Sequence, residues 1–160
     1  FQKAVLQIGN SLIVATLDHS QLAELYTVRT ELEALAARLA ARHATPEELR
    51  VLRSMIDDDR KVLGDAQALA RSNWRFHHQI HLASHNRYLV QQLNMVHRNM
   101  ALMARTSLAA EGRDRAALAE HQAVVDALVS GDASAAESAL RAHISKAFET
   151  RLREDARRES

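Results

Sequence analysis

The stretch Gln21-Leu22-Ala23-Glu24-Leu25-Tyr26-Thr27-Val28-Arg29-Thr30-Glu31-Leu32-Glu33-Ala34-Leu35-Ala36-Ala37-Arg38-Leu39 decides the fold class. Leu22, Leu25, Val28, Leu32, Leu35 and Leu39 recur at steps of three and four, the spacing of one helix face. Asp18 or Ser20 can cap this helix, which is expected to run to about His43. Working outward, Thr45-Pro46-Glu47-Glu48 is a capping box with Pro at the first helical position, and it opens a second helix carrying Leu49, Leu52, Met55 and Ile56. That helix is expected to end near Gly64. A third, from about Ala66 to Ser84, has the stripe Leu69, Asn73, Phe76/His77 and Ile80. His85-Asn86 reads as a terminus, and Leu89, Leu93, Val96, Met100 and Met103 mark a fourth helix. Leu118, His121, Val124/Val125 and Leu128 mark a fifth, stopped by Gly131. Asp132 or Ser134 opens the last, with Ala136, Leu140, His143/Ile144 and Ala147/Phe148, before a charged tail from Arg151 that is expected to fray. The expectation is an all-α bundle of about six helices.

The first 17 residues, FQKAVLQIGNSLIVATL, read differently. Val5, Leu6, Ile8, Leu12, Ile13 and Val14 favour extended backbone, and Gly9-Asn10 interrupts them as a turn would. Residues 1–17 are therefore expected to be a lead-in, and 18–160 the helical domain. Composition narrows the functions open to that domain. Lys and Arg total 21 against 20 Asp and Glu, so the chain carries no global field for nucleic acid. It contains no Cys, which excludes a thiolate metal site, a disulfide framework and a cysteine nucleophile. This agrees with a cytoplasmic location. The longest uncharged run, Ala4 to Leu17, is too short and too polar to span a bilayer.

The chain holds 9 His against 3 Phe, 2 Tyr and 1 Trp. His19, His43 and His85 fall at helix ends, and His78 and His97 flank their stripes. His77, His121 and His143 occupy or border apolar stripes on three different helices, so all can point inward. Each could be a hydrogen-bonded core imidazole. Three together could instead share a metal ion, which would offset the desolvation of three unpartnered rings, and imidazole suits Zn, Ni, Cu or Fe. Asn73 lies one turn before His77 on the same face and offers a neutral oxygen, as a fourth ligand or as a group bonded to one. Rival patterns fail: His77-His78-Gln79-Ile80-His81 lacks the Glu of a zinc-protease helix, and no Glu-x-x-His pair of a di-iron bundle occurs. A surface ladder of His77, His81 and His85 is weakened by His81, which sits between the stripes. There is no Gly-x-Ser-x-Gly and no phosphate-binding Gly-rich loop.

These residues, taken in order, resemble a known family. Glu24 to Ala36, Thr45-Pro46-Glu47-Glu48 with Leu49 and Leu52, Asn73-x-x-Phe76-His77, Ala83-Ser84-His85-Asn86, Glu120-His121 with Ala127-Leu128, and His143 resemble the effector-binding (FCD) domain of GntR-type transcription regulators, FadR branch. The resemblance covers roughly Ser20 to Leu152. It implies a helical bundle that holds a divalent metal through one Asp and three His, with a small carboxylate effector beside it. Carried over, the ligands are Asn73, His77, His121 and His143, with Asn73 standing where the pattern has Asp, and Arg29 is the candidate contact for the effector carboxylate. The resemblance further implies a homodimer, and DNA contact only through a winged helix-turn-helix domain placed before this one. The 17-residue lead-in is too short to be that domain, and the chain begins at Phe1. The expected function is ligand-gated transcription control without catalysis. A three-His metalloenzyme and a metal-free helical interaction domain are the alternatives.

Overall fold

The computed structural model describes residues 5–8, 11–14, 19–101 and 106–159. Two short strands, β1 (Val5–Ile8) and β2 (Ser11–Val14), pair antiparallel with Val5 opposite Val14 and Ile8 opposite Ser11. Residues 5–8 and 11–14 are thus extended, as their composition suggests; the expected turn at Gly9-Asn10 lies outside the described residues. Six helices follow: α1 (His19–His43), α2 (Pro46–Lys61), α3 (Ala66–Ala83), α4 (Arg87–Met100), α5 (Arg113–Val129) and α6 (Ala133–Glu159), with a 3-10 turn at Ser107–Ala109 before α5. The all-α bundle of about six helices is the observed architecture.

Local chemistry sets most of the boundaries. Thr45 Oγ1 accepts from the Glu48 N–H at 3.2 Å while Glu48 Oε2 accepts from the Thr45 N–H at 2.8 Å, which closes the capping box of α2. Asp65 and Asn86 cap α3 and α4 through the N–H groups of Ala68 and Leu89. His85 takes the left-handed turn at φ 53°, and Asn86 is the cap rather than the left-handed residue. Gly131, at φ 68°, closes α5 in a Schellman pattern: its N–H donates to Leu128 and that of Asp132 to Ala127. Asp132 then caps α6 through Ala135 N–H. The expected Asp18 cap and Met103 lie outside the described residues, and Ser20 falls inside α1. α2 ends at Lys61, before the Gly64 anticipated.

α1 lies along α6 and also packs on α3, α4 and α5, so it is the central helix. Its buried face is Leu22, Tyr26, Arg29, Glu33, Ala36, Ala37 and Ala40. This corrects the leucine stripe read from the sequence: Val28 is half exposed, and Leu25, Leu32, Leu35 and Leu39 are only partly buried. The alanines let neighbouring helices approach closely against Leu52, Ile56, Phe76, Ile80, Leu93, Val124, Leu128 and Leu140. Each such Leu or Ile contributes about 1.5–3 kcal/mol on burial. The tail does not fray after Arg151: α6 continues to Glu159, and Arg151 itself is buried. Among the described residues, no helix is long and apolar enough to cross a membrane.

Candidate metal centre

One turn beyond the alanine-rich core, the inward faces of α1, α3, α5 and α6 become polar. His77 from α3, His121 from α5 and His143 from α6 are all buried, and one ring nitrogen of each lies within 4.8 Å of the others. His143 Nε2 stands 3.3 Å from His77 Nε2 and 3.2 Å from His121 Nε2. Three of the four expected ligands therefore meet at one point. Phe76 stacks on the His121 ring at 4.2 Å between centroids and fixes its plane.

The outer nitrogens have partners of their own. His77 Nδ1 lies 3.1 Å from Glu33 Oε2, and His143 Nδ1 lies 2.6 Å from Glu120 Oε2. A carboxylate only accepts, so both rings carry the proton on Nδ1 and leave Nε2 a bare lone pair. Burial pushes the His77 imidazole down to about 3, despite the attraction of Glu33. His121 is held well below its ordinary value and His143 is lowered, again chiefly by burial. All three rings are neutral near pH 7. Two lone pairs then face each other across 3.3 Å between His77 and His143, an arrangement that a shared cation would relieve. Bonds of about 2.1 Å would set neighbouring nitrogens about 3.0–3.4 Å apart, which matches these separations. The donor set fits a divalent transition metal backed by carboxylates.

Glu33 has no exposed surface and gathers four donors. Its Oε2 accepts from His77 and from His81 Nε2 at 2.8 Å; its Oε1 accepts from His97 Nε2 at 3.1 Å and faces Arg29 Nε at 3.5 Å. Burial would raise the Glu33 carboxyl, yet attraction to His81 and His77 and their hydrogen bonds hold it well below its ordinary value. Glu120 is likewise held at about 2, because bonds from His143 and Arg113 outweigh its burial. Arg113 grips it bidentately at 2.9 and 2.7 Å.

A cavity of about 320 Å³ opens beside the trio. Arg29, Asn73, His97, Arg113, His143 and Arg151 contribute to its wall. Arg29 is buried and lies over the Tyr26 ring, 5.4 Å from its centroid. Asn73 is half-buried on α3, one turn before His77. The Nε of Arg113 is buried without a hydrogen-bond partner among the described residues.

Sequence reasoning missed Glu33, His81, His97 and the partnership of Glu120 with Arg113. His97, read as a flanking residue, keeps only 11% of its side-chain surface exposed, and His81 is buried. The signal was present: His97 stands four residues after Leu93, and Arg29 and Glu33 continue the step from Leu22 and Tyr26. The ladder of His77, His81 and His85 is not formed, because His85 is exposed and bonds Glu48 on α2 at 3.0 Å.

Comparison with known proteins bears on this arrangement. The FCD domain family matches residues 24–146. YdhC, an HTH-type transcriptional regulator of Bacillus subtilis strain 168, is 26% identical over 137 residues, which is 84% of this chain. The chain spans 61% of the length of that relative. Among solved structures, E. coli McbR/YncC superposes with a TM-score of 0.78 at 19% identity, over 89% of this chain and 73% of that one. The metal-free FCD domain of TM0439 gives 0.69 at 20% identity, over 85% and 94% of the two chains. A GntR family member from Pseudomonas syringae pv. tomato gives 0.75 at 18% identity, over 97% and 65%. These solved structures share the fold, and the matched relative YdhC is a transcriptional regulator, which speaks against the metalloenzyme alternative. The chain belongs to the FCD domain family.

Proposed function

We propose that this chain is the sensing part of a GntR-type regulator, and that it binds a divalent metal together with a small organic acid. The observation that carries the reading is the convergence of three neutral imidazoles, two of them backed by carboxylates, beside a cavity walled by arginine. His77, His121 and His143 supply the nitrogens, and the side-chain oxygen of Asn73 is the fourth ligand. A bound Zn or Ni ion would supply a fixed positive charge and a position for an oxygen of the effector. Arg29 gives the effector carboxylate a cationic partner in the same cavity.

The protein's own residues perform the remaining work. Glu33 and Glu120 fix the tautomers and ring planes of His77 and His143, and Phe76 holds His121. Because the trio spans α3, α5 and α6, occupancy favours one mutual arrangement of these helices. In the full-length protein that preference would pass to a winged helix-turn-helix domain preceding this one. Such a regulator would work as a cytoplasmic homodimer, since paired DNA half-sites need two reading heads.

Elemental analysis of protein purified without a His-tag tests the metal. About one transition-metal ion per chain is expected, with loss from His121→Ala and His143→Ala. Unchanged metal content in both variants would remove the assignment. Calorimetry with a panel of small mono- and dicarboxylates, on metal-loaded and chelator-treated protein, tests the effector.

A further inference from the structure

Two chains of contacts with the same order of residue types run from the cavity wall to the imidazole trio. One is Arg29–Glu33–His77, the other Arg113–Glu120–His143. In each, an arginine that lines the cavity pairs with a carboxylate, and that carboxylate accepts from the Nδ1 of an inward histidine. The two differ in tightness. Arg113 holds Glu120 through two short bonds, whereas Arg29 reaches Glu33 only through Nε at 3.5 Å. Glu33 is also the only ion-pair partner of Arg29 among the described residues, and both side chains are buried.

We propose that the looser chain, Arg29–Glu33–His77, is the device that makes metal and organic anion bind cooperatively, with Glu33 as its positioning residue. The inference rests on the functional reading above and deepens it. Glu33 carries one negative charge and serves four donors, His81 and His97 among them, of which two belong to this chain of contacts. On Oε1 it balances the guanidinium of Arg29; on Oε2 it accepts the Nδ1–H of His77. Were His77 Nε2 to hold a cation, the ring would lose electron density, so its Nδ1–H would become a stronger donor and draw the Glu33 charge toward Oε2. Arg29 is then a buried cation with less compensation, and an anion in the cavity supplies what it has lost. Linkage makes the converse equally true: an anion that engages Arg29 releases Glu33 to polarise His77, and the metal binds more tightly.

The donor set raises the stakes of this coupling. His77, His121 and His143 are neutral, as is the amide oxygen of Asn73, so none of the proposed ligands carries a charge to balance a dication. The nearest negative charges are Glu33 and Glu120, each one imidazole away. Glu120 is already committed to Arg113 by two short bonds, which leaves Glu33 as the charge that can be redistributed.

The test is a cobalt(II) titration of the full chain, purified without a tag and followed by visible absorption, with and without 10 mM succinate as the anion probe. Wild-type protein should bind Co2+ at least about fivefold more tightly in succinate, the lower end of ordinary allosteric coupling. Glu33→Gln removes the charge, and Glu33→Asp keeps it but shortens the reach. In each variant that still unfolds cooperatively and takes up Co2+, the effect of succinate should fall below about twofold, with weaker binding in its absence. A folded, metal-binding variant of either kind that retained the wild-type coupling would overturn the proposal, as would Co2+ affinity indifferent to succinate in the wild type. Failure of the wild type to take up Co2+ at all would instead strike the metal reading itself.

Discussion

Glu120 Oε2 and His143 Nδ1 are 2.6 Å apart, and the same carboxylate is held from its other side by both terminal nitrogens of Arg113. The carboxylate therefore has two tasks, orienting a candidate ligand and neutralising a buried guanidinium. Glu120→Gln keeps the shape and removes the charge. It should cost about 3 kcal/mol of stability, because Arg113 loses its buried counter-charge. At about 2–4 °C per kcal/mol for a chain of this size, the thermal midpoint should fall by roughly 6–12 °C. Metal affinity should drop about 10–100-fold. Scanning calorimetry and chelator competition read the two effects separately, and an unchanged midpoint would show that the pair is not formed in solution.

Asn73 offers a distinct reading of the metal. Asn73→Asp adds a charged oxygen one turn from His77 and should tighten binding of a divalent ion. Asn73→Ala should weaken it, while both variants keep the wild-type fold by circular dichroism. Equal affinity in all three proteins would place Asn73 outside the coordination sphere.

The acid limb of stability follows from the buried rings. His77, His121, His143 and His97 all have folded values below the ordinary 6.5, chiefly through burial, with His77 at about 3. Between the folded and unfolded values the unfolded chain binds more protons, so stability rises with pH there. The contribution is complete above about pH 6.5 and is lost as pH falls toward the folded values. Glu33 and Glu120 add to the loss at lower pH, since both are held below the ordinary 4.5. Chelator-treated protein should therefore show a thermal midpoint that declines steadily from pH 7 to pH 4. A flat profile over that range would mean the rings are not buried neutral.

Phe76 links the core to the site. It is fully buried and stacks on His121. Phe76→Ala should cost about 3–5 kcal/mol through the cavity it leaves. Phe76→Leu should cost less and yet still weaken metal binding, because His121 loses the face that holds its ring. Denaturant unfolding beside metal competition would expose a dissociation of the two effects.

The contrast between α2 and α1 shows what sequence reading could reach. The box at Thr45 to Glu48 and the caps at Asn86 and Asp132 are local chemistry, and the helices start there or within one residue. His77, His121 and His143 were legible because each interrupts an apolar stripe, where an imidazole is conspicuous. Glu33 was hidden by the opposite circumstance. A charged residue in an arginine- and glutamate-rich helix reads as solvated surface, and only the packing of α3 and α4 on α1 shows that Arg29 and Glu33 point inward. Leucines that repeat at the right interval set the stripe to one side of its true centre: Leu32, Leu35 and Leu39 pack at the edge of the core, and Val28 is exposed. His97 was missed for a related reason. Val96 already fills the α4 stripe, and what holds His97 inward beside it is a carboxylate 64 residues earlier.

The three inward imidazoles come from places far apart along the backbone: 66 residues separate His77 from His143, and 22 separate His121 from His143. Anything that grips all three closes two long segments of chain at once. In a protein with no cysteine, that is the entropic work of a pair of disulfides, made reversible by solution chemistry. Resistance of the domain to unfolding would then report the free concentration of any ion able to fill the gap.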